Sequence, residues 1–208
     1  MSIVDPWSGV PSSPERARQP LIGVVGRMGA GKDTLGKILV DTYGFKRRAF
    51  ADALKRVALE TNPLVFSDRD DWAWEPVRLK EYVAVFGWEG AKRNPEVRRF
   101  LQQLGHAMRQ HVHDDVWLDV VKRDVQFLLA EGIPTVITDL RYLNELEMVK
   151  RLGGVTVRVH RDPLGDDPNA RFYSETALDG VQVDVEIDNT GSLDSLRLAA
   201  AELVERVI

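Results

Sequence analysis

The chain has 208 residues, 44% hydrophobic and 29% charged, a composition that excludes a disordered or fibrous protein and allows one continuous core. Lys and Arg number 28 against 32 Asp and Glu, a formal charge of -4, so the overall field repels nucleic acid and any phosphate site has to be local. The absence of cysteine removes disulfide frameworks, thiolate metal sites and cysteine nucleophiles; with no apolar run of the roughly 20 residues that span a bilayer, the expectation is a cytoplasmic protein that does not enter membranes.

Residues 1–20 carry four prolines and a Ser/Gly cluster without an apolar stretch, and read as a flexible lead-in. Leu21–Val25 is a short apolar strand bounded by Gly26, and residues 33–42 place Leu35, Ile38 and Leu39 at helical spacing. A strand is expected near residues 46–50 and a helix from Ala53, followed by a long helical middle section to about Ala130. Residues 134–138 (PTVIT) form a strand ending at Asp139, residues 144–152 a helix closed by Gly153 and Gly154, and Val155–His160 another strand. A strand over residues 183–187 precedes a final helix striped by Leu193, Leu196, Ala200, Leu203 and Val207. Strands separated by helices predict an α/β fold, a parallel sheet covered by helices on both faces.

The sharpest local signal is Gly26-Arg27-Met28-Gly29-Ala30-Gly31-Lys32-Asp33-Thr34, the G-x-x-x-x-G-K spacing of a phosphate-binding loop placed after a strand and before a helix. Its glycines let successive backbone N–H groups turn inward around phosphate oxygens, the helix start adds partial positive charge, and Lys32 reaches the outer phosphates. A structural turn alone needs one or two glycines, not three and a lysine. Asp33 stands where a hydroxyl usually ligates Mg²⁺, so metal contact through water, through Asp33 itself or through Thr34 all stay open.

Asp139 lies at the carboxyl end of its strand, where open α/β sheets bind ligands, and could organise Mg²⁺; the plainer alternative is a helix cap. Arg141, two residues on, reads as a phosphate clamp, with an ion pair to Glu145 as the plainer alternative. The Asn-Lys-x-Asp signature of guanine recognition is absent, which disfavours a GTPase switch. In residues 95–108, Val97, Phe100, Leu101, Leu104 and Met108 form an apolar stripe, while Arg98, Gln102, Gly105 and Arg109 follow another face. The small Gly105 is expected to leave room for a ligand beside Arg98 and Gln102. Trp72, Trp74, Trp88, Tyr82 and Phe86 are more readily core than a base-stacking platform, and the four histidines make no metal-binding pattern.

Taken in order, GRMGAGKDT (residues 26–34), FADALK (50–55), VRRFLQQLG (97–105), ITDLRYLNE (137–145), Ser174-Glu175 and IDNTGSL (187–193) resemble the successive blocks of bacteriophage deoxynucleoside monophosphate kinases. The resemblance covers residues 21–208 and implies a single P-loop kinase domain in which ATP and Mg²⁺ phosphorylate a deoxynucleoside monophosphate. It also implies a helical monophosphate-binding region at about 53–130 and a lid at about 161–173. Asp52, Lys55, Arg98, Gln102, Asp139 and Glu175 become substrate contacts on this reading. Lys32, Arg141 and two arginines flanking a Pro/Gly/Asp-rich loop, Arg161 and Arg171, become catalytic; Arg158, inside a strand, is less favoured. Related kinases of dephospho-coenzyme A or phosphomevalonate share parts of the pattern, and a nucleotide-binding module that is not a kinase is the other class. The expected partners are small nucleotides, with no nucleic acid and no membrane, and a homodimer is left open.

Overall fold

The computed structural model describes residues 19–66, 76–161 and 177–208. In chain order these form β1 (Leu21–Val25), α1 (Lys32–Tyr43), β2 (Lys46–Arg48), α2 (Phe50–Thr61), β3 (Leu64–Phe66), β4 (Pro76–Arg78) and α3 (Leu79–Ala91). Then come α4 (Pro95–His111), α5 (Val116–Ala130), β5 (Thr135–Ile137), α6 (Leu143–Arg151), β6 (Val155–His160), β7 (Val185–Asp188) and α7 (Leu193–Glu205). The chain divides into two compact units, Met1–Arg48 with Lys122–Ile208, and Ala49–Val121.

The first unit is built on a five-stranded sheet of order β2-β5-β1-β6-β7 among the described residues. Every pairing is parallel, Ile22 lying between Val136 of β5 and Val155 of β6. A central strand of a parallel sheet is covered on both faces, which is why all five β1 residues are apolar or glycine and buried. Ile22 and Val24 pack on one face with Leu35 and Leu39 of α1 and Leu196, Ala200 and Leu203 of α7. On the other face a Cβ on Gly23 would stand 2.7 Å from Leu140 Cδ1 and 2.9 Å from Val149 Cγ2, so α6 rests directly on the β1 backbone. Helix, sheet and helix make three layers, the α/β architecture that the alternation of strands and helices predicts.

Entry into α6 depends on Glu145, only 1% exposed. Its carboxylate accepts the backbone N–H of Arg141 at 2.8 Å and of Tyr142 at 3.1 Å, amides with no intrahelical partner. The N-cap position is Tyr142, which removes the capping role considered for Asp139. Glu145→Ala is expected to lower the unfolding free energy by about 2–3 kcal/mol, because two part-buried donors lose a charged acceptor; urea titration checks this through a lower midpoint at unchanged slope.

The second unit holds α2, α3, α4, the start of α5 and an antiparallel β3-β4 pair. Its core gathers Ala58, Val65, Leu79, Tyr82, Ala91, Val97 and Leu101, with Phe86, Trp88, Phe100 and Leu104 packed against it. The helical middle section expected from sequence is thus interrupted by two strands and by breaks between α3, α4 and α5. Three-residue strands are too short to show a period of two. They are fixed instead by distant groups: Asn94, the N-cap of α4, accepts from Glu96 N and donates to Phe66 O at 2.8 Å, while Glu96 accepts from Phe66 N at 2.7 Å. α3 breaks at Gly87, whose φ of 63° and ψ of 172° leave the helical region. Two boundaries also move: α2 starts at Phe50 rather than Ala53, and the last strand is Val185–Asp188. Among the described residues no helix is long and apolar enough to cross a membrane.

Candidate nucleotide-binding site

β1 ends at Val25 and α1 begins at Lys32, so residues 26–31 turn the chain at the carboxyl edge of the sheet, beside the central strand where the connections diverge to either side. Three glycines carry this turn in conformations that L side chains rarely adopt: φ is 156° at Gly26, 78° at Gly29 and 104° at Gly31. At Gly26 a Cβ would lie 2.6 Å from Val159 O, and at Gly31 it would collide with the Asn189 side-chain amide. Met28 is exposed at the tip and Ala30 is buried against the fold. Lys32 bends back across the turn, its Nζ donating to Gly26 O at 2.6 Å and Arg27 O at 2.8 Å. The nine residues singled out from sequence therefore form a glycine turn, residues 26–31, and the start of a twelve-residue helix, with the Lys32 ammonium folded onto the turn. Amides of a helix start and a nearby cation together suit phosphate oxygens.

The loop is held from outside by residues much later in the chain. Asn189, just after β7, donates from its amide N–H to His160 O at 2.7 Å and from Nδ2 to Ala30 O at 2.9 Å. Asp188 accepts from Thr190 N at 2.9 Å, and hydrogen bonds from the Thr190 side chain and backbone hold its carboxyl below the usual carboxylate range. Arg27 forms an ion pair with Asp179 at 2.7 Å, both well exposed, an interaction worth at most about 1 kcal/mol. Arg158 donates from Nη2 to Leu178 O and Val181 O, so it fastens the 178–181 segment to β6. Arg161 is exposed immediately after His160, at the same carboxyl edge.

Oxygen donors suited to a hard cation lie on the first unit as well. Asp33 and Thr34 are exposed in the first turn of α1; Asp139 and Arg141 follow β5, half-buried. Thr138, whose methyl abuts Gly36 of α1, has a buried hydroxyl without a hydrogen-bond partner. Carboxylate and hydroxyl oxygens are the ligand types that Mg²⁺ takes, so the chemistry of Asp33, Thr34 and Asp139 suits that ion. The His, Cys, Asp and Glu side chains among the described residues make no group of three or more that could hold a metal.

Asp52, Lys55, Arg98 and Gln102 belong to the second unit. Lys55 Nζ sits 3.5 Å from Asp52 Oδ1 and 5.7 Å from the centre of the Trp88 ring. Glu89, one residue on, has its carboxyl held below the usual range by a hydrogen bond from Lys92 and by the charges of Lys92, Lys55 and Arg93. Arg98 Nε donates to Lys92 O at 3.3 Å. Lys55, Lys92 and Arg93 thus act on the Glu89 carboxylate, and Arg98 is tied to the same segment through the Lys92 carbonyl. Lys92 and Arg93 were not singled out from sequence; a lysine three residues after a glutamate in a helix reads only as a surface pair. Gln102 is exposed on α4. The space expected for a ligand beside Gly105 is lined instead by Leu54 of α2, which a Cβ there would meet at an ordinary 3.4 Å, and the Gly105 carbonyl accepts Trp117 Nε1 at 3.2 Å. Tyr82 and Phe86 are core, their rings 4.7 Å apart. Arg171, Glu175, the loop 162–169, Trp72 and Trp74 lie outside the described residues.

No protein-family model matches the sequence. A protein of Acanthamoeba polyphaga mimivirus named "Putative deoxynucleotide monophosphate kinase" is 27% identical over 165 residues, 71% of this chain and 77% of that one. The uncharacterized protein ORF76 of Ictalurid herpesvirus 1 is 24% identical over 188 residues, 88% of this chain and 66% of its own length. Among solved structures, the dephospho-CoA kinase of Campylobacter jejuni superposes over 90% of this chain and 96% of that one, with a TM-score of 0.50 at 18% identity. The three-layer α/β fold is accordingly that of the P-loop kinases.

Proposed function

We propose that this protein is an ATP-dependent kinase that transfers the terminal phosphoryl group of ATP to a deoxynucleoside monophosphate, giving the diphosphate. The observation that carries the reading is the loop of residues 26–31: three glycines at positive φ, a helix start and the Lys32 ammonium converge at the carboxyl edge of β1. The name of the mimivirus relative supports the choice of acceptor. On this reading the loop amides and Lys32 hold the β- and γ-phosphates of ATP, and Asp33, Thr34 and Asp139 hold Mg²⁺. When bound, Mg²⁺ neutralises phosphate charge in the transition state. Arg141 and Arg161 supply further positive charge for the equatorial oxygens of the moving phosphoryl group, a role shared by Arg171 from the sequence pattern.

An acceptor phosphate has its second pKa near about 6 and is mostly dianionic at neutral pH, so no strong general base is needed. Binding and aligning it is the harder task. Lys55, Lys92 and Arg93 around Glu89, with Arg98 on the Lys92 carbonyl, are cations suited to a phosphate dianion, with Asp52 and Gln102 as further polar contacts and Glu175 completing the acceptor set. Arg98→Ala is expected to raise KM for the monophosphate about tenfold or more while changing KM for ATP less than about twofold, since one charge-assisted contact contributes roughly 1.5–3 kcal/mol. Steady-state kinetics with each substrate varied in turn makes the comparison.

The test of the function itself is ADP formation across a panel of deoxynucleoside monophosphates, dephospho-coenzyme A and phosphomevalonate. Turnover with one or more of the monophosphates alone supports the reading. Turnover with dephospho-coenzyme A or phosphomevalonate alone replaces the acceptor, and tight ATP binding without transfer to any of them replaces the enzyme with a nucleotide-binding module.

A further inference from the structure

We infer that Asn189 is a positioning residue for nucleotide binding: its side-chain amide holds the phosphate loop in its turned form from the end of β7, at the same carboxyl edge of the sheet. The inference rests on the nucleotide-binding reading of residues 26–34 and adds to it a residue that lies outside the loop. Ala30 O can only accept a hydrogen bond, so the Asn189 atom facing it at 2.9 Å is the amide nitrogen and the orientation of the side chain is fixed by chemistry. The same residue is anchored through its backbone N–H to His160 O at 2.7 Å, where β6 ends. Its own turn is set by Asp188 accepting from Thr190 N, and α7 begins at once with Ser192 accepting from Ser195 N. Asn189 thus has little freedom to follow the loop; the loop conforms to Asn189.

Two consequences of the geometry point the same way. The Asn189 amide occupies the space beside Gly31 that any side chain there would need, so it presses against the loop at the position where φ is 104°. It also binds the carbonyl of Ala30, turning that oxygen outward to the β7 side. A carbonyl left to rotate toward the mouth would set a partial negative charge against phosphate oxygens, where amides are wanted. An aspartate at this position would go further. It has no donor for Ala30 O and adds a negative charge beside the phosphates.

The experiment is calorimetric titration of the full-length protein with Mg·ATP for the wild type, Asn189→Ala, Asn189→Asp and Lys32→Ala, with thermal melting of each. Asn189→Ala is expected to raise Kd about tenfold, the loss of one neutral hydrogen bond together with its ordering of the loop, and Asn189→Asp by about a further tenfold. Melting temperatures should fall by no more than a few degrees in both. If both Asn189 variants bind Mg·ATP within twofold of wild type while Lys32→Ala does not, the phosphate loop stands and the positioning role of Asn189 is overturned. Binding unchanged in Lys32→Ala as well overturns the nucleotide-site reading itself. A large melting loss with unchanged affinity in the folded protein marks Asn189 as a structural tie only.

Discussion

Lys32→Ala is expected to lower kcat/KM roughly 10³-fold, at the upper end of what removal of one preorganised charge at a transferring phosphoryl group costs, while leaving the fold intact. The two halves of this expectation have separate grounds. Lys32 Nζ donates to the loop carbonyls Gly26 O and Arg27 O, and its side chain is not part of the core that holds Leu35 and Leu39 further along α1. With phosphate present, those two carbonyls are poor competitors for an ammonium against a dianion, so the lysine is expected to exchange them for phosphate oxygens. Coupled-assay kinetics and a far-UV melting curve read the two halves. Turnover within tenfold of wild type would take the loop out of the mechanism, and a melting temperature lowered by more than a few degrees would give Lys32 a structural role.

Gly31→Ala carries the second large effect, and acts on shape where the lysine acts on charge. An alanine at φ of 104° is strained by about 1–2 kcal/mol, and its methyl would collide with the Asn189 amide. The loop has to open or Asn189 has to leave Ala30 O, and the combined loss of about 3 kcal/mol predicts a fall of about 10²-fold in ATP affinity. Gly44 supplies the control. It lies at the other end of α1 with φ of 73° and open space around its Cα, so Gly44→Ala should lower stability by about 1 kcal/mol and leave ATP affinity unchanged. Equal effects of the two substitutions on binding would mean that backbone strain anywhere near α1 weakens the site, and that the contact with Asn189 is incidental.

These expectations also mark the line between what was legible in the sequence and what was not. The glycine turn between β1 and α1 was legible because its parts are contiguous: nine consecutive residues supply the positive-φ positions, the helix start and the lysine, and a strand and helix of clear period flank them. The α/β alternation was legible for the same reason, since a buried parallel strand and an amphipathic helix each write their period into a short window. Composition and charge excluded whole classes of protein without any reference to structure, and the order of the motif blocks carried the kinase resemblance.

The tertiary structure decided everything that depends on residues distant in the chain. Asn189 reaches Ala30 across 159 positions because β7 and β1 both deliver their carboxyl ends to one edge of the sheet, and strand order is not written in any local window. Gly105 reads from sequence as a gap for ligand, yet it faces Leu54, since a helix face has no intrinsic partner until a second helix packs on it. Glu145 displaced Asp139 as the group that starts α6 because a carboxylate one turn inside a helix can reach back to the N–H groups of Arg141 and Tyr142, which depends on where the chain turns and not on which acid comes first. Lys92 and Arg93 look like ordinary surface charges in the sequence, and Lys55 and Arg98 stand out only through the motif resemblance. The Gly87 break and the packing of α2 and α4 around the 88–92 segment bring Lys55, Lys92 and Arg93 to the Glu89 carboxylate and Arg98 to the Lys92 carbonyl, because long-range packing sets which charges share a neighbourhood.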